Sequence, residues 1–109
     1  MKIFKELKKL GYKHYTEHTV EELDDLPLDS EERISEQALV LRWFREKYNI
    51  LATIYSNASG YLYEWHDAVG GTHRGWSEYE GPNDSGVWDT YEEAELACLI
   101  KLIEIVKKK

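Results

Sequence analysis

The sequence predicts an α+β domain of two layers, in which two helices cover one face of a three-stranded antiparallel meander. The hydrophobic period is helical over residues 31–48, changes to that of strands over residues 50–66, and becomes helical again from residue 90. Helices and strands in this arrangement are typical of two-layer α+β domains. A chain of 109 residues has the size of one domain. We divide it into a charged N-terminal extension with short helices, 1–29, and an α-β-β-β-α domain, 30–109.

The N-terminal extension is predicted to contain two short helices. Over residues 2–10 the apolar side chains share one helical face, and Gly11 is a suitable end for that helix. Thr19 and Glu22 have the spacing of a capping box, in which each side chain satisfies a backbone N–H group. A helical turn or two therefore follows Thr19 and ends before Pro27.

The helix predicted over residues 31–48 begins after a cap at Asp29 or Ser30 and stops at Asn49. Its apolar residues recur in steps of four, three, three and four, which places them on one face. We expect this face to lie against the core. It consists of Ile34, Ala38, Leu41, Phe44 and Tyr48.

Three strands are predicted next, at residues 50–55, 61–66 and 73–79. Residues 56–60 have the composition and length of a hairpin turn. The glycines at 70–71 mark a second turn, since no helix start follows them as a phosphate-binding loop would require. Side chains alternate across a strand, so one face of the second strand is the better core candidate. That face carries Tyr61, Tyr63 and Trp65.

The final helix, predicted from residue 90 to the end, begins with a capping box formed by Thr90 and Glu93. Its apolar surface is wider than that of an ordinary amphipathic helix, and one helix and three strands leave part of it uncovered. We therefore predict a homodimer whose contacts come from Leu96, Leu99, Ile103 and Val106. In the alternative, the N-terminal helix covers this surface within one chain, through Ile3, Phe4, Leu7 and Leu10.

The net charge of the chain is −7 at neutral pH, and acidic and basic blocks alternate along it. An acidic total argues against generic nucleic-acid binding, which depends on neutralising phosphates. No apolar run has the length of a transmembrane helix, and Lys8 and Lys9 interrupt any apolar signal core at the start. We expect a cytoplasmic protein without membrane contacts. Its single cysteine, Cys98, lies among aliphatic residues and is predicted to be a buried, inert thiol.

Motifs of catalysis and cofactor binding are not found in the sequence, which has no nucleotide-binding loop, paired-cysteine site or nucleophile elbow. His14 and His18 have the spacing of two metal ligands on a helix, but no cysteine accompanies them. His66, Asp67 and His73 are close enough in sequence for an acid–base trio, a proximity that four histidines produce readily by chance. We predict no catalytic residue, no metal, no cofactor and no enzymatic activity.

Aromatic residues are abundant, with four Trp, eight Tyr and two Phe. Most of them have positions that suit the core. Three do not, because they lie in or beside glycine-rich, acidic loops that offer little to bury against, and exposed Trp and Tyr are frequent anchors of protein–protein contacts. These three, Trp76, Tyr79 and Trp88, are the predicted protein-binding residues.

The order helix–strand–strand–strand–helix resembles the topology of double-stranded-RNA-binding domains over residues 31–109. That family has basic residues at the start of its last helix, where they contact phosphates across the major groove. The matching positions in this chain are acidic. They are Glu92, Glu93 and Glu95.

Three short motifs resemble those of small uncharacterised proteins of gut bacteria, their phages and mobile elements. The family pattern has a Gln-Ala pair, a Trp-Phe-Arg-Glu run, a hairpin, and a Tyr-Glu-Glu-Ala helix with spaced leucines. The matches are Gln37–Ala38, Trp43–Lys47 and Tyr91–Ala94, followed by Leu99, Leu102 and Ile103. The resemblance spans residues 37–107 and implies a phage or mobile-element origin.

Two functions follow as expectations from these observations. The first is a non-enzymatic protein-interaction module that binds an unknown protein partner, from the host or a second copy of itself. The alternative is a nucleic-acid accessory domain with the topology of double-stranded-RNA-binding domains. Salt dependence distinguishes them, because binding to phosphates weakens steeply as salt rises.

Overall fold

The computed structural model describes residues 2–67, 73–77 and 79–108. It confirms the predicted α+β fold with a three-stranded antiparallel sheet and a short helix at the N-terminus. The elements in chain order are α1 (Ile3–Lys9), α2 (Val20–Asp25), α3 (Glu31–Tyr48), β1 (Ile50–Asn57), β2 (Gly60–Asp67), β3 (His73–Trp76) and α4 (Tyr91–Lys107). No helix within the described ranges is long and apolar enough to cross a membrane.

The sheet has the order β1-β2-β3, and both pairings are antiparallel. β1 and β2 pair along their full length through a tight hairpin, in which the side-chain oxygen of Asn57 accepts hydrogen bonds from the N–H groups of Ser59 and Gly60. β3 is shorter than predicted and ends at Trp76. The predicted turn at residues 70–71 lies outside the described residues.

The two faces of the sheet differ in exposure. Residues paired across antiparallel strands share a face, so Ile54 and its partner Tyr63 lie on the helix-covered side, where Tyr63 is 2% exposed. The opposite side, which we call the outer face, carries apolar residues that stay open to solvent. Leu51, Tyr55 and Trp76 on this face are 47%, 38% and 51% exposed. The predicted core face of β2 is therefore the buried one.

Most of the wide apolar surface of α4 is covered within the chain. The helix contacts α3, β1, β2 and α1, and the buried Ile3, Phe4 and Leu7 of α1 belong to the same core cluster as Leu99 and Ile103. The predicted boundary after residue 29 therefore does not coincide with a break in the hydrophobic core.

The buried face of α3 is rotated from the predicted one in the first half of the helix. Ile34 is 36% exposed and Ala38 is also exposed. Arg33, Glu36 and Gln37 are buried instead, at 5%, 0% and 0% exposure. The second half follows the prediction more closely. Phe44 is fully buried, and Leu41 and Tyr48 are partly buried against the core.

Arg33 and Glu36 are buried because they satisfy the backbone of the N-terminal extension. Arg33 donates from one guanidinium nitrogen to the carbonyl oxygens of Leu23, Asp24 and Leu26, at 3.0, 3.0 and 3.1 Å. The carboxylate of Glu36 accepts hydrogen bonds from the backbone N–H groups of residues 15 and 16 and from the hydroxyl of residue 12. Buried polar groups need such partners, and here the partners fix the extension to α3.

A second buried polar contact joins α3 to α4. Gln37 accepts a hydrogen bond from Arg33 at 2.8 Å and donates one to Glu95 at 2.9 Å. Glu95 is only 3% exposed. Burial disfavours its charged form and raises its pKa, although the hydrogen bond from Gln37 opposes this shift.

Candidate protein-interaction groove

An open groove runs along α4 beside the loop that precedes it. Two adjoining cavities form it, and both are lined by Trp88, Ala97 and Ile100. One cavity, of about 210 Å³, extends to Tyr63, Glu80, Lys101 and Glu104. The other, of about 300 Å³, extends to Leu28, Pro82, Glu93 and Leu96. We call this surface the Trp88 groove.

Trp88 is held rigidly at the centre of the groove. Its backbone exchanges two hydrogen bonds with Tyr61 of β2, at 2.9 and 3.0 Å. Its ring packs against the ring of Tyr63, with the centroids 5.8 Å apart. A β-carbon at Gly60 would lie 2.5 Å from the Trp88 carbonyl oxygen, so this close approach requires glycine there. A partner therefore meets an indole that needs little further ordering.

The loop before Trp88 is built by its own hydrogen bonds, despite its glycine-rich sequence. The side-chain oxygen of Asn83 accepts from the N–H groups of Ser85 and Val87. Gly81 donates to the carbonyl oxygen of Gly86 at 2.8 Å, and Val87 is 1% exposed. This wall of the groove is thus preformed, which the sequence pattern, read only as a loop, did not indicate.

The floor of the groove is formed partly by α4, and this part is apolar and partly open. Leu96, Ala97 and Ile100 are each half-buried, while the neighbouring Cys98 and Leu99 are fully buried in the core. The solvent-facing side of α4 is therefore apolar at its middle instead of polar. Exposed apolar surface of this kind is typical of sites that bind a partner.

The rim of the groove is acidic. Glu80, Glu93 and Glu104 line it, with Lys101 as the basic residue among the lining groups. Glu80 accepts a hydrogen bond from the hydroxyl of Tyr63 at 2.9 Å. Burial and this contact with the carboxylate both raise the pKa of Tyr63, so the phenol stays neutral and adds no charge. The groove thus combines an apolar floor with a negative rim.

The three predicted protein-binding residues do not form one surface. Trp88 lies in the groove, on the helix side of the sheet. Trp76 pairs with Glu64 on the outer face and lies near the guanidinium of Arg74, 5.9 Å from the ring centroid. Tyr79 is 80% exposed in the loop, with a positive φ of 58°. Trp76 and Trp88 therefore lie on opposite sides of the sheet.

The residues predicted to mediate self-association are mostly internal. Leu99 and Ile103 have no exposed area, and Val106 is 8% exposed. They share one core cluster with residues of α1, which agrees with the alternative derived from the sequence. Leu96 is the exception, because it lines the Trp88 groove. These four side chains do not form a free surface for a dimer in the folded chain.

Three of the histidines considered as metal or acid–base groups have described side chains, and these do not form a site. His14 and His18 lie outside the helices, and His18 is 3.7 Å from Glu22. His66 and Asp67 are successive strand residues, so their side chains point to opposite faces. The side chain of His73 is outside the described part of the structure. Within that part, no group of three or more His, Cys, Asp or Glu residues could hold a metal ion.

Cys98 is buried in the core, as its surroundings in the sequence indicated. Burial raises the pKa of its thiol far above the usual range, so the thiolate is disfavoured.

Comparison with known proteins gives no match to a family model, a curated protein or a solved structure.

Proposed function

We propose that this chain is a non-enzymatic protein-interaction module that binds a partner protein in the Trp88 groove. The observation that supports this proposal is the preformed apolar floor around Trp88, Ala97 and Ile100. Tryptophan anchors held in well-packed surroundings contribute strongly to protein–protein binding. Both the tryptophan and the part of the floor formed by α4 are in place before a partner binds.

The shape of the groove favours a protein segment over a small molecule. Small-molecule sites enclose most of the surface of their ligand, whereas these two cavities adjoin along an open surface. Two adjacent depressions that share Trp88, Ala97 and Ile100 suit successive side chains of one helix or extended segment. The acidic rim adds a preference for lysine or arginine beside those side chains.

The proposed partner segment therefore has two or more apolar side chains flanked by basic residues. A cytoplasmic protein of a phage or mobile element, acting on a host protein, is the biological setting that the motif resemblance suggests. The acidic net charge of −7 is consistent with attraction to a basic partner.

A peptide-library selection tests this function without knowledge of the natural partner. We expect the wild-type protein to enrich peptides that combine apolar side chains with Lys or Arg. Ile100→Glu places a charge on the groove floor and should weaken binding of the enriched peptides at least about tenfold, equivalent to about 1.4 kcal/mol. Ile34→Glu is the matched control, because Ile34 is an exposed isoleucine on α3 outside the groove.

The selection also defines the result that would refute the proposal. Both variants are first compared with the wild type by circular dichroism, so that loss of binding is not loss of fold. Peptides that bind Ile100→Glu and the wild type equally well would show that the Trp88 groove is not the binding surface.

A further inference from the structure

The first strand of the sheet has a free edge. β1 pairs with β2 on one side, and among residues 2–67, 73–77 and 79–108 no strand lies on its other side. Across the described residues, no backbone hydrogen bond outside the regular elements involves residues 50–57. An eight-residue strand with an open edge offers a row of N–H and C=O groups to another strand.

The pairing pattern shows which backbone groups point outward from β1. In an antiparallel strand, the N–H and C=O of one residue point to the same side, and successive residues alternate. Tyr61 directs both groups to Trp88 on the β3 side of β2, so its neighbour Leu62 directs both to Tyr55 of β1. Alternation then places the outward groups of β1 on Ile50, Ala52, Ile54 and Ser56.

The sequence of β1 lacks the features that usually protect an edge strand. Natural edges carry lysine, proline, bulges or inward charges that oppose pairing. Residues 50–57 read I-L-A-T-I-Y-S-N and contain no charged residue and no proline, and the register with β2 runs without a bulge. This neutral edge contrasts with a chain in which 32% of the residues are charged.

We propose that β1 pairs antiparallel with β1 of a second copy of this chain, about a two-fold axis at Thr53. In this register the backbone N–H and C=O groups of Ala52 form hydrogen bonds with those of Ile54 in the second copy. Those of Ile50 form hydrogen bonds with Ser56 of the second copy. All four outward-pointing residues of each strand are then used, which gives about eight backbone hydrogen bonds. A two-fold interface is self-complementary and closes after two copies.

The same register is self-complementary in its side chains. On the outer face, Leu51 lies opposite Tyr55 of the second copy, and Thr53 lies opposite Thr53 of the second copy. Leu51 and Tyr55 are 47% and 38% exposed in the single chain, so the pairing buries apolar surface that is otherwise open. Thr–Thr pairs are favourable across antiparallel strands, and burying Leu51 against Tyr55 removes apolar surface from water. This complementarity favours a second copy over an unrelated strand as the occupant of the edge.

The resulting dimer has one continuous six-stranded sheet and differs from the dimer predicted through α4. It also leaves both Trp88 grooves open, because Trp88 pairs with β2 on the side away from β1. The proposal is therefore independent of the groove's function. Two grooves on one dimer would allow a partner with two binding segments to be held more tightly than by one groove.

Mass and amide exchange of the full chain test this dimer together. Light scattering after size exclusion should give twice the 12.8 kDa monomer mass at tens of micromolar, falling toward the monomer on dilution. In hydrogen exchange, the amides of Ala52 and Ile54 should be protected at high concentration and exchange faster on dilution. The amides of Thr53 and Tyr55, which point to β2, should change much less.

A proline variant with a matched control locates the contact. Ala52→Pro removes an outward N–H but no hydrogen bond to β2, a position that edge strands tolerate. It should give a folded monomer, whereas Ala58→Pro in the hairpin turn, outside β1, should remain dimeric. Should Ala52→Pro fail to fold, Thr53→Cys tests the register instead. Two copies of that cysteine face each other at the axis and should form an interchain disulfide when oxidised glutathione is added as the electron acceptor, while Ser35→Cys on exposed α3 should not.

Three results would overturn the proposal. The first is a monomer mass at all concentrations up to hundreds of micromolar. The second is a dimer in which the Ala52 and Ile54 amides exchange equally fast at high and low concentration. The third is a Thr53→Cys variant that forms no more interchain disulfide than Ser35→Cys.

Discussion

Leu7→Ala measures how strongly the N-terminal helix contributes to the core. Leu7 has no exposed area and lies in the cluster that contains Leu99 and Ile103 of α4. Replacing a fully buried leucine by alanine costs about 2–5 kcal/mol, through lost transfer free energy and the cavity left behind. Since a small domain has a total stability of about 5–15 kcal/mol, this loss is a large part of the free energy of unfolding.

Urea denaturation followed by circular dichroism is the assay for this variant. The midpoint should fall while the slope stays constant, because the change affects stability and not the size of the unfolding unit. Lys5→Ala, on the exposed side of the same helix, controls for helix propensity and should shift the free energy of unfolding by less than about 0.5 kcal/mol. A loss below about 1 kcal/mol for Leu7→Ala would refute the packing of α1 on α4.

Three other predictions concern the buried face of α3, the buried Glu95 and nucleic-acid binding. In urea denaturation, Phe44→Ala should lower the free energy of unfolding by about 3–5 kcal/mol and Ile34→Ala by less than about 1 kcal/mol, because only Phe44 is fully buried. Equal losses for the two variants would contradict the observed buried face of α3. Glu95→Gln should raise the melting temperature at neutral pH. The folded chain holds the pKa of Glu95 above its unfolded value near 4.5. The stability of the wild type therefore falls as the pH rises from the unfolded pKa through the higher folded pKa. A glutamine stays neutral and avoids this loss, and its side-chain oxygen still accepts the hydrogen bond from Gln37. A variant that is less stable than the wild type at neutral pH would contradict this reasoning. Titration with duplex RNA at low salt should show no binding, because the first turn of α4 carries the acidic Glu92 and Glu93. Binding that weakens steeply with added salt would instead support the nucleic-acid alternative.

The elements that the sequence predicted well are those set by local chemistry. α3 spans Glu31–Tyr48 as expected, with the Ser30 hydroxyl accepting from the Arg33 N–H and Asn49 in a left-handed conformation at φ 57°. The Thr90 cap of α4 likewise accepts from the N–H of Glu93. Caps and turns depend on residues a few positions apart, so their signals are present in a short stretch of sequence.

The features that the sequence did not predict depend on distant residues. The buried face of α3 was assigned by apolar period alone, which favours Ile34 and cannot anticipate that Glu36 meets backbone N–H groups about 20 residues earlier. Gln37 and Glu95, 58 residues apart, are a similar case. Partners this far apart become visible only when the helices pack, so a burial prediction from hydrophobicity alone excludes them.

The candidate site was predicted only in part for the same reason. Trp88 was singled out as an aromatic residue in a polar loop, and it lies at the centre of the groove. Its neighbours Leu28, Ala97 and Ile100 come from the extension and from α4, whose wide apolar surface was expected to be covered by a second copy or by the N-terminal helix. The free edge of β1 was not predicted, because the strand order defines the edge and the register with β2 defines its outward residues.

Chemical-shift mapping of a selected peptide on the isotope-labelled protein is the most direct test of the Trp88 groove. We expect the largest shifts at the indole N–H of Trp88 and at the backbone amides of Ala97 and Ile100, with Trp76 on the outer face unchanged. Shifts centred on Trp76 and the outer face, with the Trp88 indole unaffected by saturating peptide, would contradict the proposed function.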